Sequence, residues 1–260
     1  IYVIGRQVVF KDYKLAQDDS YGLEYSLNND SKIDIISEEW LDPSSKEVWD
    51  YNLKITQRAA ELGIDEVQFD YIRYPAVSAA SNRQIKNPTG VPKAEVIANF
   101  LEYCHDRLGR EKVVTSIDVF GIATTIPGDL GIGQDIMRLE PYVDYISPMI
   151  YPSHYEQGFY GIEDPAAQPY EIINKSLADA RDRLGLDSYK LRPWLQDFSL
   201  RQNYNYQMVR SQIEAVENQG LSSWLLWNPG ASYTKKALLE KDQLLIERTP
   251  KEDEEETDEG

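Results

Sequence analysis

The stretch DEVQFDYI at residues 65–72 decides the fold class of this chain. It is a short run rich in β-branched and aromatic side chains, which predicts a strand. Because side chains alternate along a strand, its two faces carry Glu66, Gln68 and Asp70 on one side and Val67, Phe69 and Tyr71 on the other. We expect the apolar face to pack on helices. The polar face then points into the interior of a barrel, with Gln68 and Asp70 at its mouth.

Five further runs of this kind occur along the chain, with helical patterns between them. The strands are predicted at 1–10, 65–72, 112–120, 143–151, 191–198 and 222–228, and the helices at 44–62, 93–108, 170–184, 204–219 and 233–247. Most of the strand runs are almost continuously apolar, which is typical of strands covered on both faces. Strands alternating with helices of this length indicate βαβ units.

The apolar spacing also predicts which helix faces are buried. For 44–62 we expect a start at Asp42 before Pro43, a stop at Gly63, and a buried face made of Val48, Tyr51, Ile55, Ala59 and Leu62. For 93–108 the expected buried face is Ile97, Leu101, Cys104 and Leu108. A buried Cys104 would be chemically inert.

Six β/α units fit either an open doubly wound sheet or an eightfold barrel. The sequence opens inside an apolar run at Ile1–Ile4, and a domain rarely begins with a central strand. We therefore predict an α/β fold, a TIM (β/α)8 barrel whose first two β/α units are missing from this chain. The barrel domain is predicted at 1–249, followed by an acidic disordered tail at 250–260. A signal peptide lost with the missing units would place the protein outside the cell or at its surface.

Charge and composition restrict the partners. The net charge is -17, which argues against nucleic acid, although residues 250–260 hold seven acids and one lysine and so contribute -6 of it. No apolar run approaches the ~20 residues needed to cross a bilayer. The 18 Tyr and 5 Trp are side chains with a flat apolar face and a polar tip, which suits sugars. We expect a monomer with a carbohydrate partner.

Two predicted strands each end with an inward carboxylate. In SIDVFG (116–121), Ser116 and Asp118 take the inward parity, as Asp70 does one strand earlier. Strand-end aspartates often cap a helix or bind an arginine, but two on neighbouring strands at the same rim favour a functional site. A carboxylate pair is the minimal equipment for glycoside hydrolysis. We therefore assign Asp70 and Asp118 as the catalytic residues.

Other strand ends provide candidate substrate-binding residues. Arg6 would hold a carboxylate ionised, and Trp227 would form a platform for a sugar ring. The full candidate set is Arg6, Gln68, Arg73, Tyr151, His154, Gln196, Trp227 and Asn228. Only two histidines occur and His105 falls on a helix, so no histidine-rich metal site is expected. The glycines of GDLGIGQD (128–135) lack the setting of a dinucleotide fingerprint, and no cofactor is predicted.

The motifs VQFDYIRYP (67–75), SIDVFG (116–121), DLGIGQD (129–135), VDYISPMIYPSHY (143–155), RPWLQDF (192–198) and LLWNPG (225–230) resemble a bacterial family of glycoside hydrolases long catalogued as a domain of unknown function. The resemblance runs from Ile1 to about Tyr233. It implies a TIM barrel, a polysaccharide substrate and a distant likeness to the α-amylase superfamily. Carried over by position, Asp70 would be the nucleophile and Asp118 the acid. Gln68 stands where that superfamily has Arg, and Asp118 where it usually has Glu.

Three functional interpretations remain open from the sequence. The first is a glycoside hydrolase, with either a retaining or an inverting mechanism. The second is a non-catalytic carbohydrate-binding barrel. The third is a barrel lyase or metal-dependent enzyme that uses the same two aspartates.

Overall fold

A computed structural model describes residues 1–18, 20–27, 30–78, 81, 83–87, 89–109 and 113–238, with the backbone alone for 30–35 and 38. The strands in this part are Ile4–Val8 (β1), Gly22–Leu27 (β2), Asp30–Leu41 (β3), Glu66–Asp70 (β4), Arg83–Ile85 (β5), Val114–Phe120 (β6), Tyr145–Ile150 (β7), Trp194–Gln196 (β8) and Leu225–Trp227 (β9). The α-helices are Lys46–Glu61 (α1), Lys93–Leu108 (α2), Ile136–Leu139 (α3), Pro169–Leu184 (α4) and Tyr206–Asn218 (α5).

Six strands form one parallel sheet in the order β1-β4-β6-β7-β8-β9. This order follows the chain without a reversal, whereas a doubly wound sheet reverses its strand order at a switch point. The sheet is also curled, because the guanidinium of Arg6 on β1 lies 5.4 Å from the ring of Trp227 on β9. The fold is therefore a curled half-barrel, and the two missing units stay a prediction.

The predicted alternation along β4 and β6 is confirmed. Val67, Phe69, Ile117 and Val119 are buried in the core, and the ring of Phe69 lies 5.8 Å from that of Phe100 on α2. The expected buried face of α2 is also correct, since Ile97, Leu101, Cys104 and Leu108 are all enclosed. Helix packing on this side leaves the opposite faces of β4 and β6 for the barrel interior.

The expected buried face of α1 is correct for Val48 and wrong for three of its other members. Tyr51, Ile55 and Leu62 are exposed, and the buried residues are Val48, Trp49, Asn52, Leu53 and Thr56. The reason is polar: Asn52 donates to the carbonyl of Val9 at 2.9 Å, and the Thr56 hydroxyl donates to Gln7 Oε1 at 2.9 Å. These bonds turn a face of mixed polarity towards β1 and leave Tyr51, Ile55 and Leu62 outside.

The ends of α1 correct one expectation and confirm another. The N-cap is Ser45, whose side chain accepts from the Val48 N–H, and not Asp42. Asp42 instead accepts from the Ser44 N–H and hydroxyl. Gly63 follows the helix with φ +88°, a backbone conformation that glycine adopts readily.

A second sheet was not predicted. Strands β2, β3 and β5 form an antiparallel sheet in the order β3-β2-β5, inserted between the barrel units. Its buried side chains include Leu23, Tyr25, Trp40 and Leu41. The Trp40 ring lies 5.9 Å from that of Tyr71, directly after β4, so this sheet stands beside the barrel mouth.

The end of the chain lies mostly outside the described residues. Of the helix predicted at 233–247, the structure describes residues up to 238, with one 3-10 turn at Lys235–Ala237. The predicted tail at 250–260 lies beyond that part. Within the described ranges, no helix is long and apolar enough to cross a membrane.

Candidate active site

Asp70 and Asp118 meet at one arginine at the mouth of the half-barrel. Parallel pairing sets Val8 beside Asp70 and Arg6 beside Gln68. Gln68 in turn lies beside Ser116. The Arg6 guanidinium forms an ion pair with Asp70 through Nη2, and its Nε lies 3.9 Å from Asp118 Oδ2. One half-exposed cation therefore bridges the carboxyl groups of two neighbouring strands.

The two carboxyl groups lie in different surroundings. Asp70 is ion-paired with Arg6 and also accepts a hydrogen bond from the Tyr71 N–H at 2.6 Å. Asp118 is 2% exposed, and its Oδ1 accepts from the Trp194 indole N–H at 2.7 Å. Burial, followed by the nearby charge of Asp70, raises the pKa of Asp118 well above its usual value. The pair therefore combines an ion-paired carboxylate with a buried carboxyl group whose pKa is raised.

The backbone next to Asp70 is held in a strained conformation. Tyr71 has φ +53°, which is unusual for a residue with a bulky side chain. This conformation directs the Tyr71 N–H onto Asp70 Oδ1. Strain of this kind costs on the order of 1–3 kcal/mol and concentrates at functional sites. It fixes the orientation of the Asp70 carboxylate.

Gln134 fastens together the ends of the two strands that carry the aspartates. Its Oε1 accepts from the Phe120 N–H at 2.9 Å, and its Nε2 donates to the carbonyl of Asp118 at 3.2 Å. A weaker contact of 3.5 Å joins Nε2 to the carbonyl of Ile72. Gly133 beside it has φ +91°, and a Cβ there would lie 2.7 Å from Ile97. The GIGQD stretch is thus a positioning element of the site.

Aromatic side chains form the walls around the pair. The rings of Trp194 and Trp227 meet edge to face at 5.8 Å. Burial raises the pKa of Tyr151, and the charges of Asp118 and Asp70 add to that rise, which places its hydroxyl in the field of both acids. Such flat, amphipathic side chains suit the faces of sugar rings.

A cavity of about 390 Å³ opens beside these walls. It is lined by residues of β6, β7 and the loops that follow them: Phe120, Gly121, Ile122, Met149, Tyr151, His154, Tyr155, Glu156 and Phe159. The His154 ring lies 5.3 Å from that of Tyr151. Burial, with a further contribution from Arg201, lowers the pKa of His154, so its imidazole is neutral near pH 7.

Seven of the predicted site residues lie at the mouth or directly beside it. Asp70, Asp118, Arg6, Tyr151 and Trp227 come together at the mouth, and His154 lies in the adjoining cavity. Arg73 lies on the rim, with its guanidinium over Trp40, Tyr71 and Phe120.

Three further predicted residues form hydrogen bonds within the protein. Gln68 Nε2 donates to Ser147 at 3.1 Å. Gln196 Oε1 accepts from the Ser153 N–H, and Gln196 Nε2 donates to the Ser153 hydroxyl and to the carbonyl of Phe198. Asn228 bonds the backbone of Asp197, Gly230 and Ser232. Their roles in substrate binding stay predictions.

Trp194 and Gln134 belong to the site but were not predicted from the sequence. Trp194 shares the inward parity of Gln196, and that parity was the available signal for its indole N–H. The role of Gln134 had no such signal, because it depends on a loop folding back onto two strand ends. Within the described part of the chain, no group of three or more His, Cys, Asp or Glu side chains is arranged to hold a metal ion.

Comparisons with known proteins place this geometry in context. A family model described as "Putative glycosyl hydrolase domain" matches residues 1–233. No curated protein matches the chain. Among solved structures, the PgaB (BpsB) glycoside hydrolase domain from Bordetella bronchiseptica is 14% identical, with 74% of this chain and 60% of that chain covered and a TM-score of 0.56.

Two further structures are similar to parts of the chain. The spore cortex-lytic enzyme SleL from Bacillus megaterium is 13% identical over 79% of this chain and 54% of that chain, with a TM-score of 0.52. A hypothetical protein from Ruminiclostridium thermocellum is 36% identical over 46% of this chain and 59% of that chain, with a TM-score of 0.36. The chain spans between 54% and 60% of the length of these three proteins.

Proposed function

The chain belongs to the family described as "Putative glycosyl hydrolase domain", and from that membership we propose that it cleaves a polysaccharide with Asp70 and Asp118 as its catalytic pair. The membership confirms the glycoside hydrolase family predicted from the sequence. The observation that carries the assignment of residues is the pair itself: two inward carboxyl groups on neighbouring strands, bridged by Arg6 and different in their surroundings.

The different surroundings assign a role to each carboxyl group. Asp118, whose raised pKa favours the protonated form, donates its proton to the glycosidic oxygen as the bond from this oxygen to the anomeric carbon breaks. Asp70 acts as the carboxylate. It either forms a bond to the anomeric carbon, which water then hydrolyses, or takes a proton from the water that attacks this carbon. In both cases the Arg6 guanidinium lies against the Asp70 carboxylate and orients it.

The walls of the site support a sugar substrate. Trp227 and Tyr151 offer ring faces beside the acids, and neutral His154 can accept or donate a hydrogen bond to a hydroxyl in the adjoining cavity. The similarity to a glycoside hydrolase domain and to a spore cortex-lytic enzyme supports a glycan as the substrate. We propose a monomer that acts outside the cell or at its surface.

The rival proposal is a barrel that binds carbohydrate without cleaving it. Its support is the Arg6–Asp70 ion pair, since a carboxylate held by an arginine is less free to attack a substrate. Against it stands the 42% exposure of the Arg6 side chain, which leaves that pair open to the mouth. The two proposals predict opposite results for the same variants.

The test is the rate of glycan cleavage by the wild type, Asp118→Asn and Asp70→Asn on a panel of polysaccharides. Because each variant removes one half of the acid–base pair, we expect losses of about 10²–10⁴-fold with unchanged folding. Full turnover by either variant would remove that residue from the mechanism. Glycan binding without product from the wild type would establish the binding barrel, and loss of activity on adding EDTA would favour a metal-dependent enzyme.

A further inference from the structure

Arg73 occupies a distinctive position on the rim of the site. It follows Asp70 by three residues, and its guanidinium carbon lies 4.8 Å from the ring of Trp40 and 5.4 Å from that of Tyr71. The ring of Phe120, two residues after Asp118, is also 4.8 Å away. Arg73 therefore stands between the ends of the two acid-bearing strands, against the inserted antiparallel sheet.

This guanidinium has no anionic partner within the described residues. No carboxylate of that part of the chain lies within 4.0 Å of it, and its hydrogen bond there runs from Nη1 to the carbonyl of Tyr74 at 3.0 Å. The buried side-chain polar atoms without a partner are Arg192 Nε and Tyr204 Oη among the described residues. The free Nε and Nη2 of Arg73 are therefore in contact with solvent.

A neighbouring cation on the same rings is in a different state. Lys11 contacts the same aromatic rings, with its Nζ 5.9 Å from the Trp40 ring and 5.4 Å from the Tyr71 ring. Lys11 is nevertheless neutralised by Glu39 at 3.2 Å. Lys11 is therefore paired with a carboxylate, whereas Nε and Nη2 of Arg73 remain available as hydrogen-bond donors.

We propose that Arg73 binds an oxyanion on the sugar next to the scissile bond, so that the substrate is an acidic polysaccharide bearing carboxylate or sulfate groups. This inference rests on the proposed function. Nε and Nη2 form the edge of the guanidinium that matches a carboxylate or sulfate through two parallel hydrogen bonds. The surrounding rings hold the fork in place, and its solvent-facing edge is open to an incoming anion.

The net negative charge of the chain means that binding of an acidic glycan would depend on a local cation such as Arg73. With a net charge of -17, most of the protein repels a polyanion, so general electrostatic attraction does not explain binding of an acidic glycan. Recognition has to come from a local group that gains from an anion. Arg73 is such a group, because it is half-buried without a carboxylate partner among the described residues. Burial of an unpaired cation costs free energy, and a bound anion would offset that cost.

The test compares matched acidic and neutral glycans. The wild type, Arg73→Gln, Arg73→Lys and the control Lys11→Gln are assayed on polygalacturonate and its methyl ester, on chondroitin and its carboxyl-reduced form, and on carrageenan and its desulfated form. We expect the wild type to prefer an acidic member in kcat/KM. Arg73→Gln should reduce that preference by about 10- to 100-fold, as expected for lost charge-assisted hydrogen bonds.

The other variants and substrates separate the explanations. Lys11→Gln removes the same charge from the same rings and should leave the preference within about twofold. Arg73→Lys keeps the charge without the fork and should fall between wild type and Arg73→Gln. The neutral members act as an internal folding control, because a misfolded variant loses both rates together. The uronate and sulfate pairs identify which oxyanion is bound.

Two results would overturn the proposal in distinguishable ways. A wild type that cleaves the neutral members equally well, with no change in Arg73→Gln, removes the acidic substrate and leaves the glycosidase intact. No cleavage of any glycan by the wild type rejects the proposed function, and this inference falls with it.

Discussion

Two carboxylates on the same face of β4 form ion pairs with arginines, one buried and one partly exposed. Glu66, at the start of the strand, is fully enclosed and bonds Arg192, Ser116 and Tyr2. Asp70, at the end of the strand, bonds Arg6, whose side chain is 42% exposed at the mouth. Both residues are carboxylates on the same face of one strand, and each is paired with an arginine. The closed pair is suited to holding the barrel together, and the open pair is suited to meeting a substrate.

The closed pair should dominate stability. Arg192 is almost fully buried, donates to both oxygens of Glu66, and lies over the Tyr145 ring at 4.2 Å. Arg192→Met leaves the Glu66 carboxylate buried without its cation, so we expect the free energy of unfolding to fall by about 3–5 kcal/mol. Urea denaturation followed by tryptophan fluorescence measures this change.

Arg6→Met is the matched control at the open end of the strand. Because its ion pair is half exposed, its removal should cost about 1 kcal/mol of stability or less, while glycan cleavage falls by about 10-fold or more. If the two arginine variants were equally destabilising, the contrast between a closed and an open pair would be wrong.

Asp118→Asn should change how stability depends on pH. Since burial and Asp70 raise the pKa of Asp118, the folded protein holds a proton that the unfolded chain releases. Wild-type stability from this group is therefore greatest below about pH 4 and falls as the pH rises towards the raised pKa, by about 1.4 kcal/mol per pH unit. The variant lacks this loss, so it should be more stable than wild type at pH 8 but not at pH 3.

Thermal unfolding of both proteins between pH 3 and pH 8 measures this difference. A stability difference that stays constant over that range would show that Asp118 titrates at its ordinary pKa. Its assignment as the proton donor would then lose its physical basis.

Trp194→Phe should shift the pH profile of catalysis. The Trp194 indole N–H stabilises the ionised form of Asp118 and so lowers its pKa. Without this donor the pKa of Asp118 rises further, and the alkaline limb of the rate profile should move to higher pH, with a rate change of about 10-fold or less. A profile measured from pH 4 to pH 10 tests this, and a shift to lower pH would contradict the geometry.

Tyr2→Phe should have the smallest effect. The Tyr2 hydroxyl donates to Glu66 Oε2 at 2.9 Å from a largely exposed side chain, and Arg192 remains as a partner of the same oxygen. We expect a loss of about 0.5–1 kcal/mol in the urea experiment. A loss as large as that of Arg192→Met would mean that the hydroxyl, rather than the guanidinium, neutralises Glu66.

The sequence predicted the barrel strands because each is a compact apolar run with a consistent parity. That parity correctly placed Gln68, Asp70, Ser116 and Asp118 on the interior face. The same reasoning failed for α1, where Asn52 and Thr56 are buried by hydrogen bonds to Val9 and Gln7. A hydrophobic pattern contains no information about such bonds, because it ranks residues by apolar character alone.

The inserted sheet could not be predicted for a related reason. Although β2 and β3 are consecutive strands, the third strand, β5, bonds β2 across more than fifty residues. Their side-chain pattern lacks the continuous apolar run that marks the barrel strands. Trp40, which contacts Arg73 on the rim, was therefore not expected near the site.

The sequence by itself determined the β/α alternation, the inward parity of Asp70 and Asp118, and the family to which the chain belongs. These properties follow from local periodicity and from motifs, which need no knowledge of the third dimension. Only the tertiary structure decided that Arg6 bridges the two acids, that Trp194 bonds one of them, and that Arg73 lies without a carboxylate partner within the described residues. Each of these depends on how the sheet curls and which loops fold over its rim, and so on contacts between segments far apart in the chain.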